Sequence, residues 1–411
     1  MSTETENVDG FLAIMERALV ALQEAIRHGL VATNIAKPGP TAIGKGLGLD
    51  KSIAWKVGRI AKADSPFDVL EHVPGHQGAR IVIEAFTKAG CPKPLIAALT
   101  SAFSDLEDAV RTHAGDRATA RAMARAALAQ DAPAQIDEGQ RRDFFRSASQ
   151  VWGAQAAVQI KTDFIAPGAT PGTLDAAGIE GLVDLLRLRP ETAWRVARKR
   201  ITLGPASQGA IFESLDPEAG PSGAPLFARY CTHPRPEITT SEDPDGFTNC
   251  ELQPGRIGKT GKTTCMLATH CRAAIREKPE DETLDLLSAV HLRTPSELLV
   301  LDVFVHKSLQ VNRQPEPELY AQIKMGPPFP ATGRDHALPT GGRIETLRNH
   351  PGSISLLEFP PYASAVTDAI AMAAKVYDPS IWRFEDFQGY RLRISHPPVP
   401  TLAAIRLNLT S

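Results

Sequence analysis

The chain has 411 residues, of which 43% are hydrophobic and 22% are charged, and its formal net charge is −2. These values are typical of a soluble globular protein with roughly two or three domains, which buries its own cores without metal or disulfide support. The near-neutral balance excludes a basic field over the whole molecule, so any affinity for nucleic acid has to come from a local patch.

Targeting and redox features point to the cytoplasm. The first ten residues, MSTETENVDG, are acidic and polar, unlike a signal peptide or a basic transit peptide. The sequence contains no run of about 18 apolar residues, so we expect no spanning helix and no membrane partner. The five cysteines show no disulfide framework and fit a reducing compartment: Cys91, Cys231, Cys250, Cys265 and Cys271.

Residues 1–130 are predicted to form an all-helical domain. Asp9 is expected to cap a first helix that ends near Gly29 and carries Phe11, Leu12, Met15, Leu19, Leu22 and Ile26 at helical spacing. Further amphipathic periods predict helices at 77–89, 95–110 and 117–128. The intervening segment 65–78 is predicted to be a loop.

The segment 40–63 has the pattern of a helix-turn-helix. Gly48 stands where the turn between the two helices needs a positive φ, and Asp50 or Ser52 can cap the second helix. The residues expected to close the core of this motif are Ile43, Leu47, Leu49, Ile53, Ala54, Val57 and Ile60.

The opposite face of the second helix is basic. From Lys37 to Lys62 the chain has six basic residues and one acidic residue, Asp50, and six minus one gives a local charge of +5. Cations contact phosphates, and polar side chains read base edges in the major groove. We therefore predict that seven residues bind DNA: Lys45, Lys51, Ser52, Trp55, Lys56, Arg59 and Lys62. Lys37 and Lys45 are expected to lie near the DNA backbone.

The stretch LGLDKSIAWKV, residues 47–57, resembles the helix-turn-helix of winged regulators of the IclR family. In that family a Leu-Gly-Leu turn precedes a Lys-Ser pair and then a recognition helix. The resemblance is confined to this segment and implies a DNA-binding motif. The chain departs from the family pattern at Gly44 and Gly46, inside the first helix, and at Trp55 on the recognition face.

The sequence pattern changes after residue 130 from helical periods alone to a mixture of strand and helix patterns. Residues 131–153 are predicted to be a linker and a connecting helix at 139–152, and residues 154–411 a mixed α+β domain. Strands are predicted at 157–166, 226–232, 284–292, 298–306, 319–325, 354–359, 390–396 and 403–409. Helices are predicted at 177–186, 191–200 and 362–377.

Several motifs in this second part are given non-catalytic interpretations. The run GRIGKTGKTT, residues 255–264, lacks the Walker glycine because Gln253 and Arg256 occupy the required positions, so it is predicted to be a basic surface loop. The potential zinc ligands lack paired Cys-x-x-Cys spacing, so no metal is expected: Cys231, His233, Cys250, Cys265, His270 and Cys271.

Other polar groups leave alternatives open. His306, His350 and His396 have no recognisable nucleophile to pair with. The basic run 187–200 is expected to be a solvated helix face, or else an anion-binding surface. The acidic residues Glu242, Asp243 and Asp245 form either a solvated turn or a metal site of an enzyme.

Taken together, these patterns predict an α+β multidomain, cytoplasmic DNA-binding transcriptional regulator with no cofactor. One helix-turn-helix supplies limited affinity, so a homodimer on a two-fold site in double-stranded DNA is expected. Dimerisation, sensing of a small-molecule effector, or both are assigned to the second domain. Two alternatives remain: an enzyme in that domain with the helix-turn-helix as a localising module, and an adaptor whose helix-turn-helix contacts protein.

Overall fold

The computed structural model describes residues 2–35, 39–128, 138–190, 193–199, 213–219, 224–242, 248–276, 284–321, 337–338, 340–347 and 351–410. The chain divides into two compact units, Met1–Ala134 and Gln135–Ser411. Helices and mixed β-sheets are both present, so the protein is of the α+β class, as predicted.

The described part of the first unit is helical throughout. It contains α1 (Ser2–Ala32), α2 (Pro40–Leu47), α3 (Lys51–Lys62), α4 (Pro66–His72), α5 (His76–Lys88), α6 (Lys93–His113) and α7 (Arg117–Leu128). Helix α1 presents one apolar stripe to the core, in which Met15, Leu19, Leu22 and Ile26 are completely buried. Its stripe packs against the other helices because residues spaced by three and four share one face of a helix.

The bounds predicted for the first helix were wrong at both ends. Helix α1 begins before Asp9 and continues past Gly29 to Ala32. A Cβ atom at Gly29 would lie 2.9 Å from the Phe86 ring, so this glycine permits close packing of α5 and does not end the helix.

The loop predicted at 65–78 was also wrong, because α4 and the start of α5 lie there. Pro66 starts α4 at a position where proline leaves no helical hydrogen bond unmade. Val69 and Leu70 are buried against the core. A helix of seven residues shows too few apolar positions for a helical period to be visible in the sequence.

The second unit begins with helix α8 (Glu138–Trp152), which the sequence placed in the connecting segment. Its largest described sheet has seven strands, in the order β12 (Ile344–Leu347), β13 (Phe387–Ser395), β9 (Ser296–His306), β1 (Ala154–Pro167), β2 (Thr173–Arg187), β7 (Thr263–Arg276) and β4 (Glu213–Ser214). In a second sheet, β14 (Thr401–Thr410) pairs with β8 (Leu284–Leu292), β10 (Gln310–Val311) and β11 (Glu316–Ala321). A third contains β3 (Trp194–Lys199), β6 (Thr248–Leu252) and β5 (Ile238–Glu242) in that order.

Successive side chains of the large sheet point to its two opposite faces, and an apolar core lies on each face. Val158 and Phe164 of β1 pack with helix α9 (Tyr362–Val376) on one face. Leu299 and Leu301 of β9 pack with β14 on the other face. Strand β1 is parallel to β9 and antiparallel to β2. Consecutive residues of β2 and β9 are buried, so these two strands are covered on both faces.

Two predicted helices of this unit are strands. The predicted helix at 177–186 is part of β2, and the one at 191–200 contains β3. Strand β2 is buried on both faces, so its apolar residues do not alternate with polar ones. An uninterrupted apolar run of this kind does not distinguish a buried strand from a helix.

Two predicted strands are not strands. Residues 226–232 contain an isolated bridge at Leu226 and a 3₁₀ turn, Ala228–Tyr230. The predicted strand at 354–359 follows another 3₁₀ turn, Pro351–Ile354. In both segments the apolar side chains enter the core from turns, among them Phe227 and Leu356.

The predicted strand at 319–325 overlaps β11 at 319–321, and its remainder lies outside the described residues. The other predicted elements of this unit agree with the structure in type, within a few residues at their ends. The predicted linker 129–137 and most of the proline- and glycine-rich segment 325–342 lie outside the described residues. Among the described helices, none has the length and apolar character needed to cross a membrane.

Candidate nucleic-acid interface

The turn between α2 and α3 depends on two residues. Gly48 has a φ of +66°, and no atom lies within 4 Å of the Cβ that another residue would place there. The backbone conformation, not lack of space, therefore requires glycine. Asp50 caps α3, since its Oδ1 accepts hydrogen bonds from the N–H groups of Ser52 (2.8 Å) and Ile53 (3.1 Å). The positive φ at Gly48 and the cap at Asp50 confirm the predictions for both residues.

Two glycines of α2 lie where a side chain would crowd neighbouring atoms. A Cβ at Gly44 would lie 3.2 Å from the carbonyl oxygen of Leu49, and one at Gly46 would lie 2.7 Å from Cδ1 of Ile35. Each glycine weakens the helix by about 1 kcal/mol relative to alanine, and the close approach explains their presence. The apolar residues predicted for this core are buried, apart from the half-buried Ile53: Ile43, Leu47, Leu49, Ala54, Val57 and Ile60.

The other end of α3 is held by α1. The Gln23 Nε2 donates to the carbonyl oxygens of Ile60 (3.1 Å) and Ala63 (2.8 Å), and the Arg27 Nε donates to that of Ala61 (2.7 Å). These bonds satisfy carbonyl groups that have no partner within the helix. Helix α3 is therefore fixed at both ends, and the sequence alone did not indicate the contribution of α1.

The exposed face of α3 is cationic. Of the seven predicted DNA-binding residues, Lys56 is half-buried and the other six are exposed. Helix α3 has four basic residues and no acidic one, a charge of +4 within twelve residues. Among the described residues, none forms an ion pair with these four cations. Arg59 and Lys62 lie in the last turn, where a positive charge interacts favourably with the helix dipole. This interaction stabilises the helix whether or not a ligand is bound.

Trp55, Arg59 and His72 form a cluster at the centre of this face. The Trp55 and His72 rings meet edge to face with their centroids 5.2 Å apart, and Trp55 remains 46% exposed. The Arg59 guanidinium carbon lies 5.9 Å from the Trp55 ring centroid, and the Arg59 Nε donates to His72 Nε2 at 3.3 Å. The cluster therefore orients the Arg59 side chain before any ligand arrives.

Burial lowers the pKa of His72, and the neighbouring Arg59 lowers it further, while Glu71 and Asp68 oppose the shift. The neutral imidazole can accept the Arg59 hydrogen bond. Sequence reasoning missed His72 because it placed this residue in a loop; Pro66 was the signal that could have indicated a helix.

The basic run 187–200 is not a solvated helix face. Arg187 is buried and donates through Nη2 to the carbonyl oxygens of Leu252 (3.3 Å) and Gln253 (2.5 Å). Arg195 pairs with Glu251 at 3.3 Å across the third sheet. These two arginines hold elements of the second unit together, so they are not free cations for an anion.

The loop 255–264 lies on the surface of the second unit, next to β2. The Gly258 N–H donates to the carbonyl oxygen of Arg187 at 2.9 Å, and Lys262 pairs with Asp184 at 2.8 Å. Lys259 lies in an exposed 3₁₀ turn. The location agrees with the predicted basic surface loop.

Two of the histidines considered in the sequence, His306 and His396, contact neighbouring side chains. Nδ1 of His306 lies 2.7 Å from the Ser308 hydroxyl, and the His396 ring meets Phe145 edge to face. Within the described ranges, no three residues of the types His, Cys, Asp and Glu are arranged to hold a metal ion. Glu242 ends β5. Lys37, Asp243, Asp245 and His350 lie outside the described residues.

A polar ladder on β1 is the strongest alternative site in the second unit. The Gln159 Nε2 donates to the carbonyl oxygen of His291 (2.9 Å), and the Lys161 Nζ donates to that of Ala289 (2.7 Å). The Ser288 hydroxyl donates to Asp163 Oδ2 at 2.7 Å. Strand β8 pairs with β14 along its other edge. The side chains of Gln159 and Lys161 on β1 thus supply hydrogen bonds to main-chain carbonyl groups of the edge strand β8. This role is structural.

Comparison with known protein families, with curated proteins and with solved structures found no match for this chain.

Proposed function

We propose that the first unit binds double-stranded DNA by inserting α3 into a major groove, and that the chain is a sequence-specific transcriptional regulator. The observation that supports this most directly is the division of α3 into two faces. One face is buried in the helical core, while Lys51, Ser52, Trp55 and Arg59 form an exposed stripe. A helix of this kind can enter a groove without unfolding its own domain.

The side chains of α3 divide into two roles. Lys51, Lys56 and Lys62 contact phosphates, and Lys45 on α2 extends this set. The first amides of α3 are occupied by the Asp50 carboxylate, so phosphate contacts come from side chains and not from the helix N-terminus.

Arg59 is the residue best placed to read a base. Its Nε is bonded to His72 and its plane lies near Trp55, while its two η nitrogens have no hydrogen-bond partner among the described residues. Two parallel N–H groups match O6 and N7 of guanine, and an arginine held in place loses less entropy on binding.

The second unit supplies dimerisation, effector sensing, or both in this proposal. A homodimer would place two copies of α3 in successive major grooves, about 34 Å apart along one face of the duplex. Binding energy from two helices then reaches the range that a regulator needs.

The test is selection of fragmented genomic DNA by the purified full chain, followed by sequencing of the bound fragments. We expect a shared motif with two-fold symmetry and a guanine at one position in each half. The R59K variant keeps the positive charge but loses the planar guanidinium that donates two parallel hydrogen bonds. It should therefore bind with the same salt dependence as the wild type and tolerate other bases at the position of the guanine. Bound fragments without a shared motif would contradict the proposal, and retention of a protein in place of DNA would support the adaptor.

A further inference from the structure

Three cysteines of the second unit lie in one apolar cluster. Cys265 on β7 is completely buried, Cys250 on β6 is almost so, and Cys231 packs against them from the residue after the 3₁₀ turn Ala228–Tyr230. None of the three forms a disulfide. Cys231 is half-buried, so it is the least buried of the three.

The main chain holds Cys231 opposite Cys265. The Phe227 N–H donates to the carbonyl oxygen of Met266 at 2.8 Å, and the Thr232 N–H donates to that of Thr264 at 2.9 Å. These two bonds lie on either side of Cys231 in one segment and of Cys265 in the other. Cys231 therefore lies beside Cys265, and its sulfur contacts the main chain of the next residue, Met266, 3.3 Å from the nitrogen and 3.4 Å from the carbonyl oxygen.

The two thiols differ in acidity and in burial. The neighbouring Cys265 lowers the pKa of Cys231, against an opposing effect of burial, and the Met266 N–H donates to the Cys231 sulfur at 3.3 Å. The Cys231 thiol in turn donates to the carbonyl oxygens of Phe227 and Met266, both at 3.4 Å. The neighbouring Cys231 and complete burial raise the pKa of Cys265. Cys231 is thus the more acidic and less buried thiol, and Cys265 lies protected beside it.

We propose that Cys231 and Cys265 form a peroxide-oxidisable dithiol, a modification site in the second unit. The Cys231 thiolate attacks one oxygen of hydrogen peroxide; the S–O bond forms, the O–O bond breaks, and the departing hydroxide leaves as water after taking up a proton. The Cys265 sulfur then attacks Sγ of the Cys231 sulfenic acid, the S–O bond breaks, and the hydroxide leaves as a second water with the Cys265 proton. Two thiols are oxidised to one disulfide while one peroxide is reduced to two waters.

The test treats the folded full-length protein with hydrogen peroxide. Remaining thiols are then alkylated in denaturant, and the peptides are mapped by mass spectrometry without reduction. We expect loss of two of the five thiols and one cross-linked pair of peptides containing Cys231 and Cys265, which dithiothreitol separates. A Cys231 that stays free or is oxidised to sulfinic acid while Cys265 remains alkylatable would overturn the proposal, as would a disulfide that joins Cys265 to Cys250.

Variants separate the two steps. Cys231→Ser should leave Cys265 unreactive, because the buried thiol has no accessible partner through which to be oxidised. Cys265→Ala should leave Cys231 as a sulfenic acid that dimedone traps. The matched control is the Cys91→Ser variant, which changes a cysteine of the first unit. This variant should form the Cys231–Cys265 disulfide as the wild type does. The wild-type peptide map decides the proposal by itself if the Cys265 variant fails to fold.

Discussion

Neutralising Lys51, Lys56 and Lys62 together should weaken DNA binding and reduce its salt dependence. These residues are replaced by glutamine, which keeps side-chain length and helix propensity similar while removing the charge. None of the three is ion-paired within the described part of the chain, so each is available for a phosphate. The apolar face of α3 and its two end contacts are unchanged by these substitutions.

The expected magnitude follows from the number of phosphate contacts that are lost, because each contact releases counterions from the DNA. The slope of log K against log salt changes by about 0.9 for each phosphate contact, so three contacts give a change of about 2.7 per protomer. Between about 50 and about 200 mM salt, the wild type should therefore lose affinity about 40-fold more than the variant does. A dimer that uses both copies of α3 would double the change in slope.

The assay is fluorescence anisotropy of a labelled duplex at several salt concentrations. The matched control replaces Arg80, Lys88 and Lys93 by glutamine, since these exposed cations of the first unit carry the same total charge on α5 and α6. We expect the control to keep most of the wild-type slope. Equal slopes for the wild type and the α3 variant, or equal losses in the two variants, would show that α3 does not contact phosphates.

Three further predictions concern stability. Gly48→Ala should destabilise the first unit by about 1 kcal/mol, because a Cβ is strained at positive φ; the shift in urea midpoint measures it. Tyr362→Phe should cost about 1–3 kcal/mol, since the buried hydroxyl bonds Asp302 at 2.5 Å and its removal leaves that group short of a donor; urea unfolding followed by tryptophan fluorescence reports it. The pKa of His270 is lowered from 6.5 by burial, so the unfolded chain binds this proton first and stability falls as pH decreases below 6.5; His270→Gln should make the urea midpoint depend less on pH between about 7.5 and about 5.5.

Controls distinguish these effects from general loss of packing. Gly10 has no atom near its missing Cβ and lies within α1, so Gly10→Ala should stabilise the protein by about 0.5–1 kcal/mol. Opposite signs for the two glycine substitutions would confirm the role of φ, and equal signs would contradict it. The Tyr390 hydroxyl has no hydrogen bond to a described residue, so Tyr390→Phe should change stability little; a loss as large as that of Tyr362→Phe would refute the account of the Asp302 contact.

Much of the α2–α3 hairpin could be predicted because its determinants are local. The positive φ of Gly48, the cap at Asp50 and the apolar spacing of α3 each depend on residues within a few positions of one another. The contact of His72 with Arg59 could not be predicted, because it brings together residues 13 positions apart on two different helices. The capping of α3 by Gln23 depends on a partner 37 residues away.

Sequence alone determined that the chain is helical first and mixed later, and that one helix has a cationic face. It did not determine that residues 177–186 form a strand, since burial on both faces removes the alternation that distinguishes strands from helices. Only the tertiary structure placed Cys231 beside Cys265 and Arg59 beside His72. The physical reason is that local conformation depends on near neighbours, whereas strand pairing, burial and the juxtaposition of reactive groups depend on chain segments that are distant in the sequence.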